Sequence, residues 1–216
     1  MTYECYDDEI GREIASDLLK IKAIKLSPEK PFTWASGWKS PIYCDNRLSL
    51  SFPLIRTKIK NYFCDLIRKK YRDAEGIVGV ATAGIPQGAL VAETLDLPFL
   101  YVRSKSKDHG LTNQIEGKYH KGQKVVVLED LVSTGGSSLS AVDALRAADL
   151  EVLGMVSIFT YGFSASKFNF EKKEVDLTYL SEYSLLISQA ISTGLVKPDL
   201  MDTLNSWREH PDQWSA

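Results

Sequence analysis

Val125-Val-Val-Leu-Glu129-Asp130-Leu-Val-Ser133-Thr134-Gly135-Gly136-Ser137-Ser138 is the stretch that decides the fold of this chain. Four consecutive apolar residues predict a short buried strand, and two acids close it. A Thr-Gly-Gly-Ser turn then opens a helix with Leu139, Val142 and Leu145 along one face. Glycines let the backbone curl so that successive N–H groups face inward, and a helix start adds partial positive charge. Ser133, Thr134, Ser137 and Ser138 add hydroxyl donors, and the whole suits a phosphate monoester. There is no Gly-Lys-Ser/Thr, so this is not a Walker A loop, and no Gly-x-Gly-x-x-Gly follows the strand to bind a dinucleotide. A carboxylate beside a bound phosphate repels it unless it is turned toward something else, and vicinal ribose hydroxyls are suitable partners. The loop therefore reads as a ribose-5-phosphate cradle, with Glu129 and Asp130 on the sugar. The plainer alternative is a strand-to-helix turn with an Asp and a Ser cap.

Outward from that loop the elements alternate. Ile77 to Ala81, Phe99 to Val102, Val152 to Tyr161 and Val175 to Leu180 read as strands, and Ile85 to Leu95 and Ser137 to Ala148 as helices. A helix begins near Pro53, a first-turn proline, and two more follow the last strand. Ile10, Ile14, Leu18 and Ile21 predict an amphipathic helix from Asp8 to about Leu26. Pro31 to Arg47 reads as turns and short extended pieces. The fold class is α/β: a central, mostly parallel sheet flanked by helices, with a small N-terminal hood. Ligands in such sheets bind at the carboxyl ends of the strands, which directs attention to the loops after Ala81, Val102 and Leu128.

Composition narrows the classes of function. The 216 residues hold 26 Lys+Arg and 28 Asp+Glu, a net charge of −2, with 44% hydrophobic residues. That balance belongs to an ordinary globular domain and argues against a broadly basic nucleic-acid binder. No apolar run approaches the ~18 residues of a membrane span, and the acidic N-terminus lacks a signal-peptide layout. Cys5, Cys44 and Cys64 have no Cys-x-x-Cys spacing and suit a reduced, cytoplasmic protein rather than a zinc site or disulfide framework. The charge is nevertheless uneven. From Tyr101 to Lys124 six cations face two anions, a local +4, which leaves −6 for the remainder.

At these residues a resemblance enters. The Val125–Ser138 segment is similar to the phosphoribosyl-diphosphate signature of type I phosphoribosyltransferases. Arg103-Ser-Lys-Ser-Lys107-Asp108-His109-Gly110 resembles the mobile catalytic loop of the orotate phosphoribosyltransferase family, and Phe32-Thr-Trp-Ala-Ser36-Gly37-x-Lys-Ser40-Pro41 also matches that family. The three segments stand in family order over most of the chain. The resemblance implies a single phosphoribosyltransferase domain over 1–216, with a hood mainly from about 1–50 and a lid over about 103–123. It assigns Glu129, Asp130, Leu131, Val132, Ser133, Thr134, Gly135, Gly136 and Ser137 to phosphoribosyl diphosphate.

Phosphoribosyl transfer expels diphosphate from the anomeric carbon while the sugar approaches an oxocarbenium ion. The chemistry calls for cations on the leaving group and exclusion of water. A long polar segment with Arg103, Lys105, Lys107 and His109 within seven residues, able to close, meets both needs. The resemblance implies that Arg103, Lys107 and His109 are the catalytic contacts to diphosphate. It also implies that the loop reaches the neighbouring subunit's site in a homodimer. A diphosphate substrate calls for Mg²⁺, held mainly through substrate oxygens, with no dedicated protein metal site expected. Ala81-Thr-Ala83-Gly84-Ile-Pro86 reads equally as a loop approaching the pyrophosphate or as a plain helix start.

Orotate, a planar anionic pyrimidine, needs a flat seat and donors for its ring edge and carboxylate. Ser36, Gly37, Tyr43 and Arg47 are the candidates in the hood, and Ser133 is the carried-over residue facing the base. Trp34 and Trp38 read as hood packing. Four family cations are missing, at Ala35, Ala83, Ser104 and the strand end near Tyr161, with Lys39, Lys105 and Arg47 as stand-ins. The partners expected are therefore orotate and phosphoribosyl diphosphate, without nucleic acid or membrane. The competing readings are a transferase for another base, or a phosphoribosyl-diphosphate-sensing regulator on the same fold.

Overall fold

The computed structural model describes residues 1–34, 36–103 and 114–214. Lys105, Lys107, His109, Ser104 and Ala35 lie outside the described residues.

In chain order the elements are β1 (Tyr3–Cys5), α1 (Asp8–Lys20), β2 (Ile24–Leu26), β3 (Phe32–Thr33), β4 (Lys39–Ser40), β5 (Ile42–Cys44), a 3₁₀ turn (Asn46–Ser51) and α2 (Pro53–Lys70). There follow β6 (Gly76–Val80), α3 (Gly84–Leu95), β7 (Phe99–Val102), β8 (Ile115–Glu116), β9 (Lys124–Val132), α4 (Gly136–Ala147) and β10 (Glu151–Thr160). The chain closes with α5 (Ser164–Lys172), β11 (Leu177–Glu182), α6 (Tyr183–Ser192), a 3₁₀ turn (Pro198–Leu200) and α7 (Met201–Glu209).

Seven strands form one sheet in the order β1-β11-β10-β9-β6-β7-β8, parallel throughout except for β8, which runs antiparallel to β7. Strand alternation sends β9 into both layers: Val126 and Leu128 join the core beneath α1, α2 and α6, and Val125 and Val127 join the core beneath α4. From β6 the chain steps to β7 on one side, and from β9 it steps to β10 and β11 on the other. The order therefore reverses between β6 and β9, where an open α/β sheet leaves a crevice at its carboxyl edge. Gly84 closes the packing of α3 there, since a Cβ at that position would collide with the Leu128 carbonyl oxygen.

Two short antiparallel pairs, β2–β5 and β3–β4, build a cap over the same edge. They correct the expected first helix. Asp7 caps α1 by accepting from the N–H groups of Glu9 (2.9 Å) and Ile10 (3.0 Å), but the helix stops at Lys20 rather than running to Leu26. Lys22 is left-handed (φ 58°), and Ile24–Leu26 pair with Ile42–Cys44. A backbone ladder from a distant segment outweighs the local 3.6-residue rhythm, to which Ile21 and Ile24 also conform. β1 went unread because three residues carry too little periodicity, and its place beside β11 is set by pairing alone. The last strand begins at Leu177 rather than Val175, whose N–H closes the end of α5 on the Phe170 carbonyl (3.1 Å).

Candidate active site

The acids at the end of β9 behave differently. Glu129 is 5% exposed, its Oε1 accepts from the Asp130 N–H (3.0 Å), and its Oε2 accepts from the Ser138 hydroxyl (3.1 Å). Burial, and then the neighbouring Asp130, push its pKa well above the usual carboxylate value. Asp130 is also raised, first by burial, with the hydrogen bond to Glu129 and the positive charge of Arg47 among the opposing effects. Both Glu129 oxygens are thus engaged inside the protein.

Beyond the acids, Gly135 is left-handed (φ 83°), and a Cβ there would lie 2.7 Å from Phe170 Cε2. Asn169 donates to the Thr134 carbonyl at 3.0 Å and ties the loop to α5. Among the described residues no side chain caps the start of α4, so its first N–H groups are unpaired by a cap and suit an anion. The start of α3, after a cis Ala81–Thr82 peptide, is likewise without a side-chain cap from the described residues. Two uncapped helix starts thus open onto one crevice, over adjacent strands.

A cleft of about 270 Å³ lies between hood and loop, lined by Thr33, Trp34, Tyr43, Cys44, Leu131, Ser133 and Tyr161. It brings together Tyr43 and Ser133, two of the residues expected at a base. Trp34 both packs and lines it: its ring is 5.2 Å from Tyr161 and 5.6 Å from the buried Trp207, and its Nε1–H donates to the Ile42 carbonyl at 3.0 Å. Ser36 and Gly37 are exposed at the β3–β4 turn and do not line the cleft. Arg47 makes a two-point pair with Asp45 (2.6 and 3.0 Å), and Lys39 donates to the Thr33 hydroxyl at 2.9 Å. A larger apolar groove of about 760 Å³ between the end of α1 and the start of α2, including Ile21, Phe52 and Leu54, lies away from these acids and loops.

The sequence pattern gives no site role to Cys44, Tyr161, Asn46 or Asn169, and it offers Ser138 as a donor to phosphate, whereas its hydroxyl is turned onto Glu129. Tyr161 had a usable signal, since it directly follows β10 at the carboxyl edge of the sheet. Near that strand end a cation returns from the C-terminal helix: Arg208 Nη2 lies 3.1 Å from where a Gly162 Cβ would sit, and its Nη1 donates to Ser184 (2.7 Å). It does not line the cleft. On the far side, the Arg103 N–H donates to the Gln114 carbonyl (2.9 Å), with Arg103 Nη1 3.6 Å from Glu116 Oε1. The chain thus leaves and re-enters the sheet edge at one point. Among the described residues no group of three or more His, Cys, Asp and Glu side chains is placed to hold a metal ion, and no helix is long and apolar enough to cross a membrane.

This mostly parallel sheet flanked by helices is that of a type I phosphoribosyltransferase, and residues 52–184 match the phosphoribosyl transferase domain. An orotate phosphoribosyltransferase of Cytophaga hutchinsonii is 56% identical over 203 residues, covering 94% of this chain and 97% of that protein. One from Porphyromonas gingivalis is 53% identical over 205 residues, covering 95% and 98%. The crystal structure of orotate phosphoribosyltransferase from Aeropyrum pernix superposes with a TM-score of 0.73 at 27% identity, covering 85% of this chain and 99% of that one. The chain belongs to the orotate phosphoribosyltransferase family.

Proposed function

We propose that the chain transfers the 5-phosphoribosyl group from phosphoribosyl diphosphate to orotate, giving orotidine 5′-monophosphate and diphosphate in pyrimidine biosynthesis. One observation carries the reading. The uncapped start of α4, beyond the Glu129–Asp130 pair, lies next to an aromatic cleft lined by both Tyr43 and Ser133. A seat for a sugar phosphate thus adjoins a seat for a flat ring.

In this reading the N–H groups of Gly135 to Ser137 and the Ser133 and Thr134 hydroxyls hold the 5-phosphate. Asp130 accepts from the ribose hydroxyls, with Glu129 behind it. The start of α3 at Gly84 meets the diphosphate, whose departure is assisted by Arg103 together with Lys107 and His109. Tyr43 and Ser133 hold the pyrimidine, and Ser36, Gly37 and Arg47 close over it when the hood adjusts. The donor set suits Mg²⁺ carried in on substrate oxygens: Asp130 is the carboxylate at hand, and the helix starts offer donors rather than ligands. Bound there, the ion neutralises the charge of the diphosphate. The lid is shared between the subunits of a homodimer in this reading. Three unpaired cysteines favour a reducing cytoplasm.

Purified protein with Mg²⁺ and both substrates is expected to consume the ultraviolet absorbance of orotate. Turnover of uracil or a purine without turnover of orotate rejects the base, and turnover of none rejects the transferase reading.

A further inference from the structure

β9 is paired on both edges only as far as Leu128. Its register with β6 ends at Gly79–Leu128, whereas its register with β10 continues to Thr160–Val132. The acid pair therefore sits where one edge of the strand has lost its neighbour. Carbonyls two residues apart in a strand point to the same edge. The Leu128 carbonyl faces Gly84, and the Asp130 carbonyl, two residues on, is met by a side chain: Asn46 Nδ2 donates to it at 2.7 Å. Asn46 is 1% exposed and opens the 3₁₀ turn after β5.

A side-chain amide can be turned two ways, and only one presents its N–H₂ to a carbonyl. The Cys44 thiol donates to Asn46 Oδ1 at 3.3 Å, which selects that way. The thiol must keep its proton to do so. Burial, and the negative charges of Asp130 and Asp45, push its pKa well above the ordinary thiol value. Cys44 is also part of the wall of the base cleft.

We infer that Asn46 positions Asp130 for phosphoribosyl transfer, and that Cys44 holds Asn46 in the orientation this requires. The inference rests on the transfer reading above. It makes the Cys44–Asn46 pair a connection of two hydrogen bonds between the base cleft and the acid that meets the ribose. Neither residue touches the reacting atoms, so both are positioning residues.

The test compares Asn46→Ala, Asn46→Asp, Cys44→Ala and Cys44→Ser by kinetics with both substrates, by calorimetric binding of phosphoribosyl diphosphate with Mg²⁺, and by thermal melting. Asn46→Ala is expected to raise KM and Kd for phosphoribosyl diphosphate about tenfold, the equivalent of one hydrogen bond, and to change KM for orotate much less. Cys44→Ala is expected to lose about threefold in the same direction. Cys44→Ser restores an O–H donor and is expected to recover toward the parent. If Asn46→Ala does not fold, Asn46→Asp, of the same shape but without the N–H₂ donor, decides. A folded Asn46→Ala with parental constants overturns the inference, as does an equal loss on both substrates with a lowered Tm. Cys44→Ser no better than Cys44→Ala removes Cys44 from it. A parent protein inactive on orotate overturns the transfer reading instead, and phosphoribosyl diphosphate affinities across the variants still decide this one.

Discussion

The Ser138 hydroxyl, in the first turn of α4, donates to Glu129 Oε2 at 3.1 Å, so the helix that opens the phosphate loop also holds the buried acid of the strand before it. Removing the donor as Ser138→Ala leaves a buried carboxyl oxygen without its partner. The expected cost is about 1–3 kcal/mol of stability, read from urea midpoints. A midpoint unchanged from the parent would show that the bond contributes nothing.

The same carboxyl makes stability depend on pH. The folded-state pKa of Glu129 is raised well above its unfolded value, so folding favours its protonated form. Its contribution is fully present below the unfolded pKa and is lost as pH rises through the folded value. Asp130 is raised in the same sense. Without ligand, Tm is expected to fall from about pH 5 toward neutrality, with Glu129→Gln flattening the slope over the same range. A slope identical in Glu129→Gln would assign it to other groups.

Gly135 combines a left-handed backbone with a Cβ position 2.7 Å from Phe170 Cε2. Gly135→Ala is expected to destabilise the fold by about 1–3 kcal/mol through strain and overpacking. Affinity for inorganic phosphate at the start of α4 should fall with it, since the loop must shift. Isothermal titration with phosphate alongside urea unfolding separates the two effects. Parental values in both would remove the strain argument.

A shared lid has its own signature. Lys107→Ala and Asp130→Asn are each expected to fold and to lose about 100-fold or more in kcat. Mixed after subunit exchange, the two should regain activity, because one site in each heterodimer then has an intact lid and an intact acid. Continued inactivity after exchange has been verified by mass would confine each lid to its own subunit.

Cys44 offers a chemical probe of the base cleft. Its raised pKa keeps the thiolate scarce near neutral pH, so alkylation by iodoacetamide should be slow and should rise about tenfold per pH unit from about pH 7 to pH 9. Saturating orotate is expected to slow it at least about fivefold, by covering the cleft wall that Cys44 forms. Peptide mass mapping reads both effects, and unchanged labelling under orotate would place the base elsewhere.

Legibility followed range along the chain. The strand from Val125, the acids, the Thr-Gly-Gly-Ser turn and α4 were readable because strand burial, glycine freedom and helix starts are local properties. The loop emerges with its acids ordered and its helix start uncapped. The hood was not readable in the same way. Ile24–Leu26 satisfies the helical rhythm of α1, yet its partner is Ile42–Cys44, about twenty residues on. Ser36 and Gly37 match by pattern but stand at an exposed turn, while Thr33 of the same segment and Cys44, to which the pattern gives no role, line the cleft.

By itself, then, the sequence determined the sheet class, the position of the phosphate loop and the concentration of positive charge between Tyr101 and Lys124, all of them short-range patterns of burial, turn chemistry and charge. The placement of the two acids came from tertiary contacts, with Glu129 turned inward onto Ser138 and the Asp130 carbonyl held from the hood by Asn46. Tertiary structure also packed Tyr161 against Trp34 in the lining of one cleft. The Asn46–Asp130 and Trp34–Tyr161 relations join residues dozens of positions apart. They arise because the crossovers of a parallel sheet bring remote strand ends to one edge, where burial and hydrogen-bond satisfaction, rather than local propensity, choose the partners.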